Sequence, residues 1–244
     1  MAAQPDNFVV TPVFSIGSIL SRTVSTLFQN PLLFFGLAVI ASVPTAIIDE
    51  IVSESFFGQA AAGFFTLFLG MVVQGIIAYA VFLALTGEEE PLSDILNQGL
   101  GQMGVLLVVA LLTGLIFTLG FILFVIPGII LLCVLAVTAQ ACVVEQLGAM
   151  DSLNRSVELT RGYRWHIFGL YVVVGIIFFV VFALIGFVAA LVFPGHTPII
   201  TTVINITGNV VTVAFDAVMC GIIYYDLRGV KEGVTLDALA SIFD

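Results

Sequence analysis

The sequence predicts an all-α integral membrane protein, with six transmembrane helices in three hairpins and a cytoplasmic interfacial amphipathic helix ahead of each hairpin. Three observations lead there. Of 244 residues, 61% are apolar and only 9% charged, against roughly 25% charged in a soluble domain. Four long stretches, Thr23–Ile48, Ser55–Gly87, Ile95–Val144 and Trp165–Phe215, hold no Asp, Glu, Lys or Arg. The six basic residues, Arg22, Arg155, Arg161, Arg164, Arg228 and Lys231, all fall between or beyond paired spans.

The elements follow in order. A span needs about 20 mostly apolar residues, so the first two stretches carry one each, at Pro31–Ile48 and Phe64–Leu85. The third stretch is 50 residues long and crosses twice, with the reversal expected at Pro127-Gly128, where Pro removes a donor and Gly permits a turn. The fourth splits at Pro194-Gly195-His196-Thr197-Pro198 into Ile167–Val192 and Ile199–Leu227. The apolar runs are continuous and do not alternate, which argues against a β-barrel.

With six spans, every basic residue lies on one side. The positive-inside rule makes that side the cytoplasm and places both termini there. The expected address is a bacterial inner (plasma) membrane. Met1–Asn7 lacks the charged start of a cleavable signal peptide.

The chain reads as one membrane domain over 1–244: an amphipathic helix at 10–30, hairpin 1 at 31–86, an interfacial helix plus hairpin 2 at 92–144, the same at 147–227, and a tail at 228–244. In the first helix Val13, Ile16, Leu20, Val24 and Leu27 share one face, while Ser15, Ser18, Arg22, Ser25 and Gln29 share the other. Comparable segments surround Leu96 and Leu153, so the chain reads as three like-oriented units.

Asp216 is the one acid deep within a span. At 100° per residue, Asn205, Asn209, Thr212 and Asp216 fall within about 60° of one another. Polar groups are costly in hydrocarbon, so this stripe turns to the bundle interior or to water. It reads as an interhelical hydrogen-bond seam with Gln74 and Gln140 as partners, or as the lining of an ion or substrate path. Gly186 and Ala190 form a small-residue pair suited to close helix packing.

Glu145, Arg155, Glu158, Arg161, Arg164, Asp226 and Arg228 gather at the cytoplasmic ends of spans four to six. They form a rim of ion pairs or a headgroup site. Tyr163, Trp165 and Tyr171 read as an interfacial aromatic belt. His166 and His196 lie at opposite ends of one span, so they make neither a metal site nor a catalytic triad. Cys133, Cys142 and Cys220 sit in apolar runs without metal spacing. No catalytic residue, metal or cofactor is expected. Nucleic acid needs a basic face, and six cations in 244 residues cannot build one.

Three motifs add a resemblance. Phe121–Gly128 reads FILFVIPG, Val144-Glu145 leads into Leu153–Gly162 (LNRSVELTRG), and Tyr224–Arg228 (YYDLR) precedes Lys231-Glu232-Gly233. In this order they resemble the membrane domain of glycerophosphoryl diester phosphodiesterases and the standalone YciC-like inner-membrane proteins, from about residue 10 onward. The resemblance implies the membrane fold and inner-membrane address. In the fused relatives a separate barrel performs hydrolysis, so no catalytic residue carries over.

The function expected is a non-catalytic membrane protein that binds lipid or a protein partner, with self-association open. The alternative is a small transporter or channel using the polar stripe of the last helix.

Overall fold

The computed structural model describes residues 15–52, 55–86, 90–192 and 198–232. Within them the chain folds as α1 (Ile16–Gln29), α2 (Pro31–Ile51), α3 (Phe56–Thr86), α4 (Leu92–Leu100), α5 (Met103–Leu123), α6 (Val125–Val134), α7 (Thr138–Val144), α8 (Ala149–Thr160), α9 (Arg164–Val192) and α10 (Pro198–Glu232), with no strand among the described residues. Six spans are long and apolar enough to cross a membrane: α2, α3, α5, α6 with α7, α9 and α10. The protein is an all-α polytopic membrane protein, and a short helix precedes each hairpin. Val13, the Pro194–Thr197 part of the last turn and Gly233 lie outside the described residues.

α3 and α10 form the centre. α10 packs on α3, α2, α1 and α8, and α3 also packs on α7, α4 and α5. Close approach is set by small residues. A Cβ on Gly75 would sit 2.4 Å from Val143 Cγ2, and Val143 is fully buried. Gly75→Ala is therefore expected to cost about 1–3 kcal/mol of overpacking, more than alanine's helix propensity returns. Val143→Ala in the same chain should recover part of the loss. Thermal unfolding in mild detergent checks this, and a Gly75→Ala protein as stable as wild type would refute the close approach.

Several elements differ from the sequence reading. The reversal in hairpin 2 is at Phe124, whose backbone is extended (φ −164°, ψ 151°). Pro127 and Gly128 lie in the first turn of α6, where a missing N–H costs no helical bond. Gly128 serves packing instead, because a Cβ there would sit 2.7–2.9 Å from the Phe121 ring. The fourth span is also interrupted. α6 ends at Val134, and α7 restarts at Thr138.

That break leaves carbonyls unpaired at the end of α6. Ser156 and Thr160 of α8 donate to the Val134 carbonyl at 2.8 and 3.3 Å. The buried residues of α8 are Ser152, Leu153, Ser156, Leu159 and Thr160. Its inward face is thus rich in hydroxyls and is not an apolar stripe.

In α1 the buried residues are Ile19, Thr23, Thr26 and Leu27, while Val24 is exposed. The inward face is rotated from the expected one toward Ile19 and Thr23. Thr23 can be buried because its hydroxyl folds back onto the Ile19 carbonyl at 2.7 Å. A Cβ on Gly186 would meet nothing within 4 Å, so this glycine serves no close helix approach among the described residues. The close approach between α9 and α10 is at Gly208, where a Cβ would lie 3.0 Å from the Phe182 ring. α3 begins at Phe56 and α10 continues to Glu232, both beyond the expected limits.

Candidate functional site

Three places collect polar side chains. The first is built around Asp216. Gln74 of α3 donates from Nε2 to Asp216 Oδ2 at 2.9 Å, and Gln140 of α7 donates to Gln74 Oε1 at 3.4 Å. The partners expected from sequence are the ones found. Among the described residues Asp216 Oδ1 receives only the Cys220 thiol, at 3.8 Å. Tyr171 lies 3.2 Å from the same sulfur, so it belongs to this cluster and not to an aromatic belt. Trp165 is exposed, in keeping with the belt reading. Asp216, Gln74 and Tyr171 line a cavity of about 520 Å³ between α3, α5, α6, α9 and α10.

The rest of the stripe goes elsewhere. Asn205, Asn209 and Thr212 line a different cavity, about 590 Å³, with Phe182, Gly186 and Gly208. The two cavities share no lining residue. Asn209 also accepts from Ser42 of α2 at 3.3 Å. A common angular face therefore does not mean a common compartment, because the neighbours of α10 change along its length.

The second place is a charge network. Leu147 N–H returns to the Cys142 carbonyl at 3.2 Å, with Gln146 at φ +50°. This αL end to α7 presents Glu145. Arg155 Nε donates to both Glu145 oxygens at 2.9 Å, and its Nη2 bonds Glu232. Tyr224 donates to Glu145 at 2.8 Å, and Arg228 donates to Glu232 at 2.9 Å. Glu158 approaches Arg155 at 3.7 Å and is largely exposed. Burial works against the charge on Arg155, but the hydrogen bonds to Glu232 and Glu145 outweigh it and raise its pKa above the ordinary arginine value.

The expected single rim is therefore divided. Asp226 does not join the Arg155 network; it pairs with Arg22 of α1 at 2.6 Å. Arg161 is exposed, and its side chain makes no hydrogen bond or ion pair among the described residues. Three participants escaped the sequence reading. In sequence Arg22 is a topological marker on the polar face of the first helix, and Tyr224 and Glu232 belong only to the closing motif and the tail. The continuation of α10 past Arg228, which places Glu232 one turn on, was the missing signal.

The third place is Arg164. Gly162, at φ +94°, turns the chain from α8 into α9 through a conformation that favours glycine. Arg164 then opens α9. Its Nε is buried with no hydrogen-bond partner. It lines a cavity of about 490 Å³ whose other walls are Ile126, Ile129, Ile130, Cys133, Trp165 and Phe168. No group of three or more His, Cys, Asp or Glu residues suited to a metal ion occurs among the described residues.

No curated protein and no solved structure matches the chain. A family model described as a domain of unknown function, DUF7847, matches residues 48–225. That range holds Gln74, Glu145, Arg155, Arg164 and Asp216, and excludes α1 with Arg22. Since the match covers well over half of the sequence, the chain belongs to the DUF7847 family.

Proposed function

We propose that this membrane protein is a non-catalytic binder of anionic phospholipid, with Arg164 as the headgroup contact and the groove between α6 and α9 as the acyl-chain contact. One observation carries the reading: an arginine with a buried, unpartnered Nε borders a cavity whose remaining walls are apolar or aromatic, apart from Cys133. A buried donor left unpaired costs about 1–3 kcal/mol, and a lipid phosphate would accept from it through a charge-assisted bond. The apolar walls suit the chain attached to that phosphate. Trp165, exposed beside Arg164, has the amphipathic ring favoured at headgroup level.

The address follows as part of the proposal: a bacterial inner membrane with both termini cytoplasmic, supported by the one-sided placement of the basic residues. The three short helices α1, α4 and α8 then lie at the cytoplasmic face. The resemblance to the phosphodiesterase membrane domain and the YciC-like proteins supports the same address. A protein partner or a second copy is compatible with this reading. The transporter or channel reading comes second because the stripe on α10 is shared between two separate cavities.

Trp165 is the single tryptophan of the chain, so it reports on this groove. In proteoliposomes, brominated phosphatidylglycerol should quench its fluorescence more than brominated phosphatidylcholine does. Arg164→Gln should abolish the excess, whereas Arg161→Gln should leave it. Equal quenching by both lipids in the wild type would refute the proposal.

A further inference from the structure

The Asp216 cavity carries an unmet demand for hydrogen-bond donors. Oδ2 of Asp216 is held by the Gln74 amide, but Oδ1 receives only a thiol at 3.8 Å, and a thiol is a weak donor. Thr113 lines the same cavity from α5, is 1% exposed, and its Oγ1 has no partner. Gln140, directly behind Gln74, is fully buried with its Oε1 unpaired. Buried polar atoms are normally satisfied, and those that are not call for an explanation.

The demand extends to charge. No Lys or Arg lines the cavity. Arg22, Arg155 and Arg228 are committed to other carboxylates, and Arg164 lines a different cavity. A carboxylate removed from water needs a countercharge or a proton. The described residues offer this one no cation, so either a proton or a cation from outside meets the need, and the unpaired acceptors around it favour a ligand that brings several donors.

The walls decide what kind of cation. Calcium takes six to eight oxygen ligands, and magnesium wants a full octahedron. The Gln74 amide is committed to Asp216 and Gln140 and the Tyr171 hydroxyl to Cys220, so one carboxylate and two threonine hydroxyls remain, too few for either ion in a lining that is mostly apolar. Phe117, Phe168 and Tyr171 present aromatic surface instead, which attracts an organic cation through its ring faces. The volume of about 520 Å³ falls within the range of small-molecule sites.

We infer that this cavity binds a small organic ammonium ion, its N–H groups donating to Asp216 and Thr113 and its apolar body lying against Phe117 and Phe168. The cavity adjoins the lipid groove, sharing Ile129, Cys133 and Phe168 with it, but its polar contacts are its own, and the inference does not depend on whether the ligand is carried across the membrane.

The test is calorimetric titration of the purified full chain in mild detergent, with the micelle-only signal subtracted. The probes are 2-phenylethylammonium and its neutral counterpart, 2-phenylethanol. The ammonium should bind at least about tenfold more tightly than the alcohol, since a hydrogen bond to a charged group is worth 1.5–3 kcal/mol. Asp216→Asn should weaken ammonium binding by about tenfold or more, and Thr113→Val by about threefold. No binding of the ammonium to wild type, equal binding of the two probes, or unchanged affinity in Asp216→Asn would each overturn the inference. The comparison of the two probes on wild type stands without any variant, so it decides the matter even where Asp216→Asn fails to fold.

Discussion

Arg155→Gln should lower the unfolding free energy by about 3 kcal/mol, the lower end of the cost of removing one partner from a buried ion pair, because the network is only part-buried. The reason lies in what remains. Glu145 and Glu232 have side chains only 16% and 27% exposed, and Arg155 is the one residue among those described that bonds both. Without it Glu145 keeps only the Tyr224 hydroxyl, and Glu232 keeps only Arg228. Two half-buried carboxylates would then face each other across α7, α8 and α10. Arg155→Lys should restore only part of the loss, because an ammonium is a point charge and cannot span both carboxylates as a planar fork does. Glu145→Gln should cost less than Arg155→Gln, since Arg155 keeps Glu232. Equilibrium unfolding in mixed micelles would rank the three variants. An Arg155→Gln protein as stable as Glu145→Gln would remove Arg155 from the centre of the network.

The second large effect is an asymmetry between Arg22 and Asp226. Their side chains are 32% and 7% exposed. Removing the cation by Arg22→Gln strands a carboxylate with almost no access to water, at about 3–5 kcal/mol. Removing the anion by Asp226→Asn leaves an arginine whose long stem can carry its head toward water, at about 1 kcal/mol. The pair joins α1 to the end of α10, so α1 should loosen first. Hydrogen exchange across residues 16–29 should rise in Arg22→Gln and stay near wild type in Asp226→Asn. Equal exchange in the two variants would mean that the pair does not hold α1 in place.

These pairings show how far residue-level reading reaches. Gln74, and Gln140 behind it, are recognisable as members of the Asp216 seam because amides and a lone acid in apolar spans have few alternatives in hydrocarbon. Arg22 and Asp226 are 204 positions apart, and nothing in their local sequence favours each other over a dozen other charges. Glu232 was hidden by an ordinary uncertainty about where a helix ends. Once α10 runs four residues past Arg228, an i,i+4 bond forms and Glu232 also reaches Arg155.

The membrane class, the six spans and the order of short helix, span, span were determined by the sequence alone. Each rests on a property additive along the chain: apolar length against bilayer thickness, and the side on which cations accumulate. The tertiary structure decided what is not additive. It moved the reversal of hairpin 2 to Phe124, divided the polar stripe of α10 between two cavities, and split one expected rim into the Arg155 network, the Arg22–Asp226 pair and a solitary Arg164. A helical wheel gives the angle of a side chain, but only the packing of neighbouring helices decides what that angle faces.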